Sequence, residues 1–150
     1  MSIQSETVLP TTPRVVRVGS TASFSKVVTQ RDVETFADLS GDYNPVHLND
    51  EYAANTRFRR RIVHGIYTAG LISAALATEL AGPDKTVIYL NQNLKFLKPV
   101  HHDDTITAKL EVLELDEVRN IAKVRTDCFN QRDEQVVSGE AVILLDRYPN

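Results

Sequence analysis

From Ile88 to Leu145 the chain alternates apolar and polar side chains with period two, four times in succession. Ile88, Leu90, Leu94 and Phe96 share one face of the first stretch, which Gln92 interrupts. Ile106, Ala108, Leu110 and Val112 repeat the pattern. Ala122, Val124, Thr126 and Cys128 follow, then Val137, Ala141, Ile143 and Leu145 around Gly139. Successive side chains of a strand point to opposite faces, so this alternation predicts strands with one buried face. The connectors 116–120 and 130–134 are short and polar, which predicts antiparallel neighbours. Such a sheet must lay its apolar face on another element.

The segment that can fill this role begins at His64-Gly65. Ile66, Ala69, Leu71, Ile72, Ala74, Ala75, Leu76 and Leu80 leave little polar surface on a helix running to about Ala81-Gly82-Pro83, a strong stop. A helix that is apolar nearly all round is expected to be buried. The predicted fold is therefore α+β, an antiparallel sheet wrapped around one long buried helix. Ahead of it, Ala22–Val28 suits a first strand. Thr29 and Asp32 suit a relative of the capping box for a short helix over Gln30–Ser40, with Gly41 as its stop. Asp42 to Pro45 reads as a turn, and Asn49 or Asp50 as the cap of another short helix through Ala54. Residues 1–15 are expected to form a flexible arm and 16–150 a single domain.

Composition narrows the function. The 150 residues are 42 % apolar and 25 % charged with a formal charge of −3, which fits a globular domain and lacks the basic excess of nucleic-acid binders. Cys128 is the one cysteine, so neither an internal disulfide nor a cysteine-rich metal site can form. The stretch Met1–Arg17 is polar, without a run of signal-peptide type, and Ile66–Leu80 is too short and too polar to span a membrane. A cytoplasmic location is expected.

Chemistry concentrates in Phe36–His47. Asp42 and His47 stand five residues apart across a proline-containing turn, which can aim a carboxylate and an imidazole into one space. Such a pair can share a water and move its proton near neutral pH. The residues equally suit plain turn formers beside a partly buried histidine. Arg57, Arg59, Arg60 and Arg61 offer guanidinium groups for phosphates or form a solvated loop, and Lys95 and Lys98 are similar candidates. His101 and His102 beside Asp103 and Asp104 suit a solvated turn better than a metal cluster. His64, at a helix start, suits a structural hydrogen-bonding role.

Gly41-Asp42-Tyr43-Asn44-Pro45-Val46-His47 resembles the signature of the MaoC-like hydratases and dehydratases. The similarity continues through Ile62-Val63-His64-Gly65 and Leu94-Lys95-Phe96-Leu97-Lys98-Pro99-Val100, and covers about Val33 to Leu145. It implies a hot-dog fold with Asp42 and His47 as catalytic pair and Asn44 orienting the loop or the water. It further implies a Gly65 backbone N–H directed at a thioester oxygen and a possible polar contact from Ser73, which otherwise is a packed helix serine. The activity implied is reversible hydration of a trans-2-enoyl-CoA to an (R)-3-hydroxyacyl-CoA, with CoA as substrate carrier and neither metal nor organic cofactor. Two alternatives stay open: a 3-hydroxyacyl-[acyl-carrier-protein] dehydratase and a non-catalytic acyl-thioester-binding hot-dog protein. Edge-to-edge pairing of such sheets implies a homodimer or a larger assembly built from it.

Overall fold

A computed structural model describes residues 12–150; most of the expected N-terminal arm, residues 1–11, lies outside the described residues. Five antiparallel strands form one sheet in the order β1-β3-β4-β5-β2: β1 Thr21–Val27, β2 Lys85–Phe96, β3 Thr105–Asp116, β4 Ile121–Phe129 and β5 Gln135–Arg147. The inward residues of β3, β4 and β5 are those the alternation selects, and Ile106, Ala108, Val112, Ala122, Val124, Thr126, Cys128, Ala141 and Ile143 are all fully buried. Burial pushes the Cys128 thiol up to about 12.

The first strand ends one residue earlier than the sequence suggests, and Val28 is buried just beyond it. In β2 the expected single face, Ile88, Leu90, Leu94 and Phe96, is divided. A bulge between Tyr89 and Asn91 takes Leu90 out of register. One extra residue reverses the alternation. Val87 and Tyr89 pair with the inward Leu145 and Ile143, while Ile88 faces outward; beyond the bulge Gln92 and Leu94 turn inward. Gln92 is accommodated there because its amide donates to Thr126 Oγ1 at 2.9 Å and to the carbonyls of Asn93 and Glu140.

The helix that the sheet wraps is α4, Gly65–Ala74, continued as a π-helix over Ala75–Leu80. Leu71, Ile72, Ala75, Leu76 and Leu80 form its buried side and join the core of the sheet. It is not buried all round: Gly65, Ile66, Gly70, Ser73 and Ala77 are exposed. Among the described residues, no element covers this side. Together, sheet and helix make the hot-dog arrangement.

Between β1 and α4 lies the segment that builds the site. Helix α1, Gln30–Ser40, starts with a full capping box: Asp32 N donates to Thr29 Oγ1 and Thr29 N to Asp32 Oδ2. It ends at Gly41, whose φ of 81° is the left-handed conformation that glycine adopts without strain. Two short helices follow, α2 Pro45–Leu48 and α3 Asp50–Ala54, and Asn49 caps the latter through Tyr52 N.

Candidate active site

The turn read at Asp42–Pro45 is the entry to a helix. Asn44 is the N-cap of α2, its Oδ1 accepting from Val46 N, and Pro45 occupies the first helical position. This turn of helix points His47 inward, where it is 8 % exposed. Its Nδ1 lies 2.8 Å from the Ile62 carbonyl. A carbonyl can only accept, so Nδ1 carries the hydrogen and Nε2 is left as a free lone pair. Burial pushes the His47 ring below its ordinary value. The hydrogen bond to Ile62 opposes that shift, His64 adds to it, and the Asp42 charge again opposes it.

Asp42 is exposed at the start of the loop and its Oδ1 accepts from Asn44 N at 3.2 Å. A carboxylate oxygen of Asp42 and one ring nitrogen from each of His47 and His64 all lie within 4.8 Å of one another. His64 is buried, and its ring stacks on that of His47 with centroids 3.9 Å apart. On another side it meets Phe36 at 4.8 Å. His64 Nε2 stands 2.9 Å from the Asp42 backbone carbonyl and so donates to it. The Asp42 carboxylate and His47 Nε2 remain for a water or a reacting proton.

Beside this cluster opens a pocket of about 440 Å3 lined by His47, Phe58, Ile62, Gly65, Ile66, Thr68, Phe96 and Leu97, among others. Its wall is largely apolar, with His47 and the start of α4 as polar points. His64 is the N-cap of α4 but its side chain makes no cap bond. The first N–H groups of any helix lack an intrahelical acceptor and carry partial positive charge. Gly65 and Ile66, the first residues of α4, line the pocket, and no side-chain cap competes there. Gly65 is needed for contact as well: a Cβ there would stand 2.7 Å from Phe96 Cε1.

Of the site residues expected from sequence, His47 and Gly65 line this pocket, Asp42 lies beside His47, and Asn44 caps the helix that carries His47. Lys98 lines it too, paired with Glu134, whose carboxyl the Lys98 and Arg132 cations hold down at about 2. Lys95 does not join them. It alternates with the inward Leu94 and Phe96 and lies on the outer sheet face near Arg125 and Asp127. Ser73 is exposed two turns along α4, outside the pocket lining. Arg59 and Arg60 are exposed, whereas Arg61 binds Asp50 at 2.7 Å and the Leu48 carbonyl. The turn at His101–Asp104 is more than solvated. Asp104 is buried, accepting from His101 N and Gln131 Nε2, and His101 Nδ1 donates to the Arg61 carbonyl. The sequence reading missed Phe58, Ile62, Leu97 and the stack of Phe36 on His64. Ile62 and Leu97 stood inside the matching motifs without an assigned role, and Phe58 stood unremarked inside a run of arginines.

The fold, with an Asp/His cluster beside a pocket at the start of α4, defines a hot-dog protein. Residues 13–131 match the family described as MaoC like domain, and the chain belongs to that family. It is 44 % identical over 132 residues to a protein of Methylorubrum extorquens named 3-hydroxybutyryl-CoA dehydratase, covering 88 % of this chain and 82 % of the relative. It is likewise 44 % identical over 130 residues to the (R)-specific enoyl-CoA hydratase of Aeromonas caviae, with coverage of 87 % and 96 %. Among solved structures, the unliganded R-hydratase PhaJ1 of Pseudomonas aeruginosa superposes with a TM-score of 0.81 at 45 % identity, covering 88 % of this chain and 83 % of that one.

Proposed function

We propose that the protein is an (R)-specific enoyl-CoA hydratase, a hydro-lyase that reversibly adds water to trans-2-enoyl-CoA. The observation that carries this reading is the Asp42 carboxylate beside the His47 ring, whose Nδ1 is engaged by the Ile62 carbonyl, next to a pocket lined by the first residues of α4. The names of the relatives support it. The thioester carbonyl accepts from the Gly65 N–H. Asp42 and His47 bind one water and take up its proton as the oxygen attacks C3. The electron pair of the double bond moves to the thioester oxygen, where the helix N-terminus stabilises the enolate. A proton returned to C2 from the same pair completes the addition, and the pair acts as one titrating unit. Asn44 holds the loop through its cap. No step calls for a metal or organic cofactor, and CoA serves as the carrier of the acyl group.

The test is loss of enoyl absorbance with crotonyl-CoA and longer trans-2-enoyl-CoAs, with the product's configuration determined. (R)-3-hydroxyacyl-CoA is expected, and absence of hydration overturns the reading. The same acyl chain on CoA and on acyl carrier protein separates the two thioester carriers. The chain's net charge of −3 does not attract an acidic carrier protein, so CoA is expected to give the higher kcat/KM. A preference of about 10-fold for the carrier protein, about 1.4 kcal/mol, makes the protein a carrier-protein dehydratase instead.

The pH dependence follows from His47. Its neutral form accepts the proton, and burial holds its pKa below the usual 6.5. Activity is therefore present at neutral pH and lost as pH falls through that lowered value. The acid limb of kcat/KM, which reports the free enzyme, is expected below pH 6.5; a midpoint above it contradicts the assignment of His47.

We propose further that two copies pair along β2. β1 and β2 are the sheet edges. β2 is the longer, at 12 residues against 7, and exposes Ile88, Tyr89 and Leu90, with Leu90 51 % exposed. Long apolar edges invite strand addition, and a symmetric pair satisfies both edges at once. Light scattering is expected to give a dimer or its multiple, and Ile88→Lys with Leu90→Asp is expected to yield monomers. A wild-type monomer at assay concentration rejects the pairing. The absence of any cysteine but the buried Cys128 supports a reducing, cytoplasmic location; among the described residues no helix is long and apolar enough to cross a membrane.

A further inference from the structure

We propose that His64 is a positioning residue that fixes the distance between the Asp42/His47 pair and the oxyanion donor at Gly65. The inference rests on the hydratase reading and adds to it a residue that acts through its neighbours. Asp42 sits in an exposed loop whose other hydrogen bonds are local. Gly41 N reaches back to the Ala37 carbonyl, Asp42 N to Ser40 Oγ at 3.1 Å, Tyr43 N to the Gly41 carbonyl and Asn44 N to Asp42 Oδ1. Tyr43 OH donates to Asp38 of α1. Among the described residues, the bond from His64 Nε2 to the Asp42 carbonyl is the only hydrogen bond that joins residues 41–44 to the start of α4.

His64 is chain neighbour to Gly65. One end of its side chain thus holds the backbone of the acid/base loop, while its own backbone leads directly into the N–H groups that meet the thioester oxygen. Its ring also forms the surface on which His47 lies, at 3.9 Å between centroids, and Phe36 closes a further side at 4.8 Å. Three parts of the reaction are thereby referred to one rigid ring: the carboxylate loop, the imidazole and the oxyanion donor. Placement matters at this level, because misplacing reacting groups by about 1 Å can cost about 100-fold in rate.

The chemistry of the ring points the same way. His64 Nδ1 is buried and has no hydrogen-bond partner among the described residues. An unpartnered buried polar atom is unfavourable, and an apolar side chain at this position would avoid it. Packing alone therefore does not call for histidine here. The Nε2–H donor toward Asp42 does.

The test separates the donor from the packing. His64→Phe keeps a stackable ring and removes the donor; His64→Leu, also donorless and smaller, replaces it should the larger ring prevent folding. His64→Gln places an amide nitrogen where Nε2 stands and loses the ring. The donorless variants are expected to lower kcat for crotonyl-CoA by about 100-fold while KM changes by less than about threefold, and Gln is expected to recover at least about tenfold of that loss. Amide hydrogen exchange at residues 43–47, read on the same proteins, is expected to quicken in the donorless variants and to stay near wild type in Gln. A packing role predicts the reverse ranking. Phe or Leu at wild-type kcat, or Gln impaired as deeply as Phe with equal exchange, overturns the proposal. If the wild type does not hydrate enoyl-CoA, the functional reading falls, while the exchange contrast still decides whether His64 holds the loop.

Discussion

Asp42→Asn and His47→Gln each lower kcat for crotonyl-CoA hydration by at least about 100-fold, the scale at which a general acid/base group contributes. Asparagine keeps the size of Asp42 and an oxygen for Asn44 N, but it cannot take a proton from water. Glutamine at 47 keeps a polar side chain near the Ile62 carbonyl and loses the basic nitrogen. Neither residue belongs to the apolar wall of the pocket formed by Phe58, Ile62, Ile66, Phe96 and Leu97. The loss is therefore expected in kcat more than in KM, the pattern of an interaction made in the transition state. Circular dichroism is expected to match the wild type, since the loop's caps and turns persist in both variants. Hydration near the wild-type rate by either one removes that residue from the chemistry.

The other large effect is structural. Ile72 is fully buried on the inner side of α4 and is among the largest fully buried side chains. Its replacement by alanine is expected to cost about 2–5 kcal/mol, from lost burial and from the cavity left behind. For a domain of this size that corresponds to a fall in Tm of roughly 4–20 °C. Calorimetry measures it, and a change below about 1 kcal/mol means that α4 repacks against the sheet. Since α4 bears Gly65, the surviving folded fraction also reports whether the pocket depends on this anchor: kcat per folded molecule stays near wild type if the helix start holds its place.

Much of this was legible before any coordinates. β3, β4 and β5 follow their alternation because each lies with one face on α4 and the core, so burial alone dictates their pattern. The bounds of α1 were legible because Thr29, Asp32 and Gly41 are local signals whose effect does not depend on the remainder of the fold. β2 was misread because a bulge is not written in hydrophobicity. Leu90 is apolar whether it faces the core or stands out of register, and only its pairing with β5 reveals the reversal. The exposed side of α4 was misread for a related reason: apolar composition does not tell whether a helix face meets the sheet or stands clear of it.

At the site, the resemblance pointed to Asp42, Asn44, His47 and Gly65; His47 and Gly65 line one pocket, Asp42 lies beside His47, and Asn44 caps α2. The Ile62 carbonyl that sets the tautomer of His47, and the ring of His64 beneath it, were hidden because they act through contacts between segments 15 and 22 residues apart in sequence. Lys95 was read with Lys98 because both flank the same motif. Their odd separation along the chain, together with the end of β2 at Phe96, sends one to the outer sheet face and the other to the pocket.

The buried Cys128 on β4 gives the molecule a built-in chemical clock. It is the sole thiol in the sequence, it is fully shielded, and it is held protonated at neutral pH. A thiol reagent attacks the thiolate of an accessible cysteine, so labelling has to wait until the middle of the sheet opens. With neighbours β3 and β5 on both sides of β4, that opening amounts to losing the core. Where closing outpaces labelling, the rate of modification then tracks the free energy of opening. Measured with and without an enoyl-CoA, and without any substitution, it reads how far substrate binding in the pocket at the start of α4 stabilises the domain.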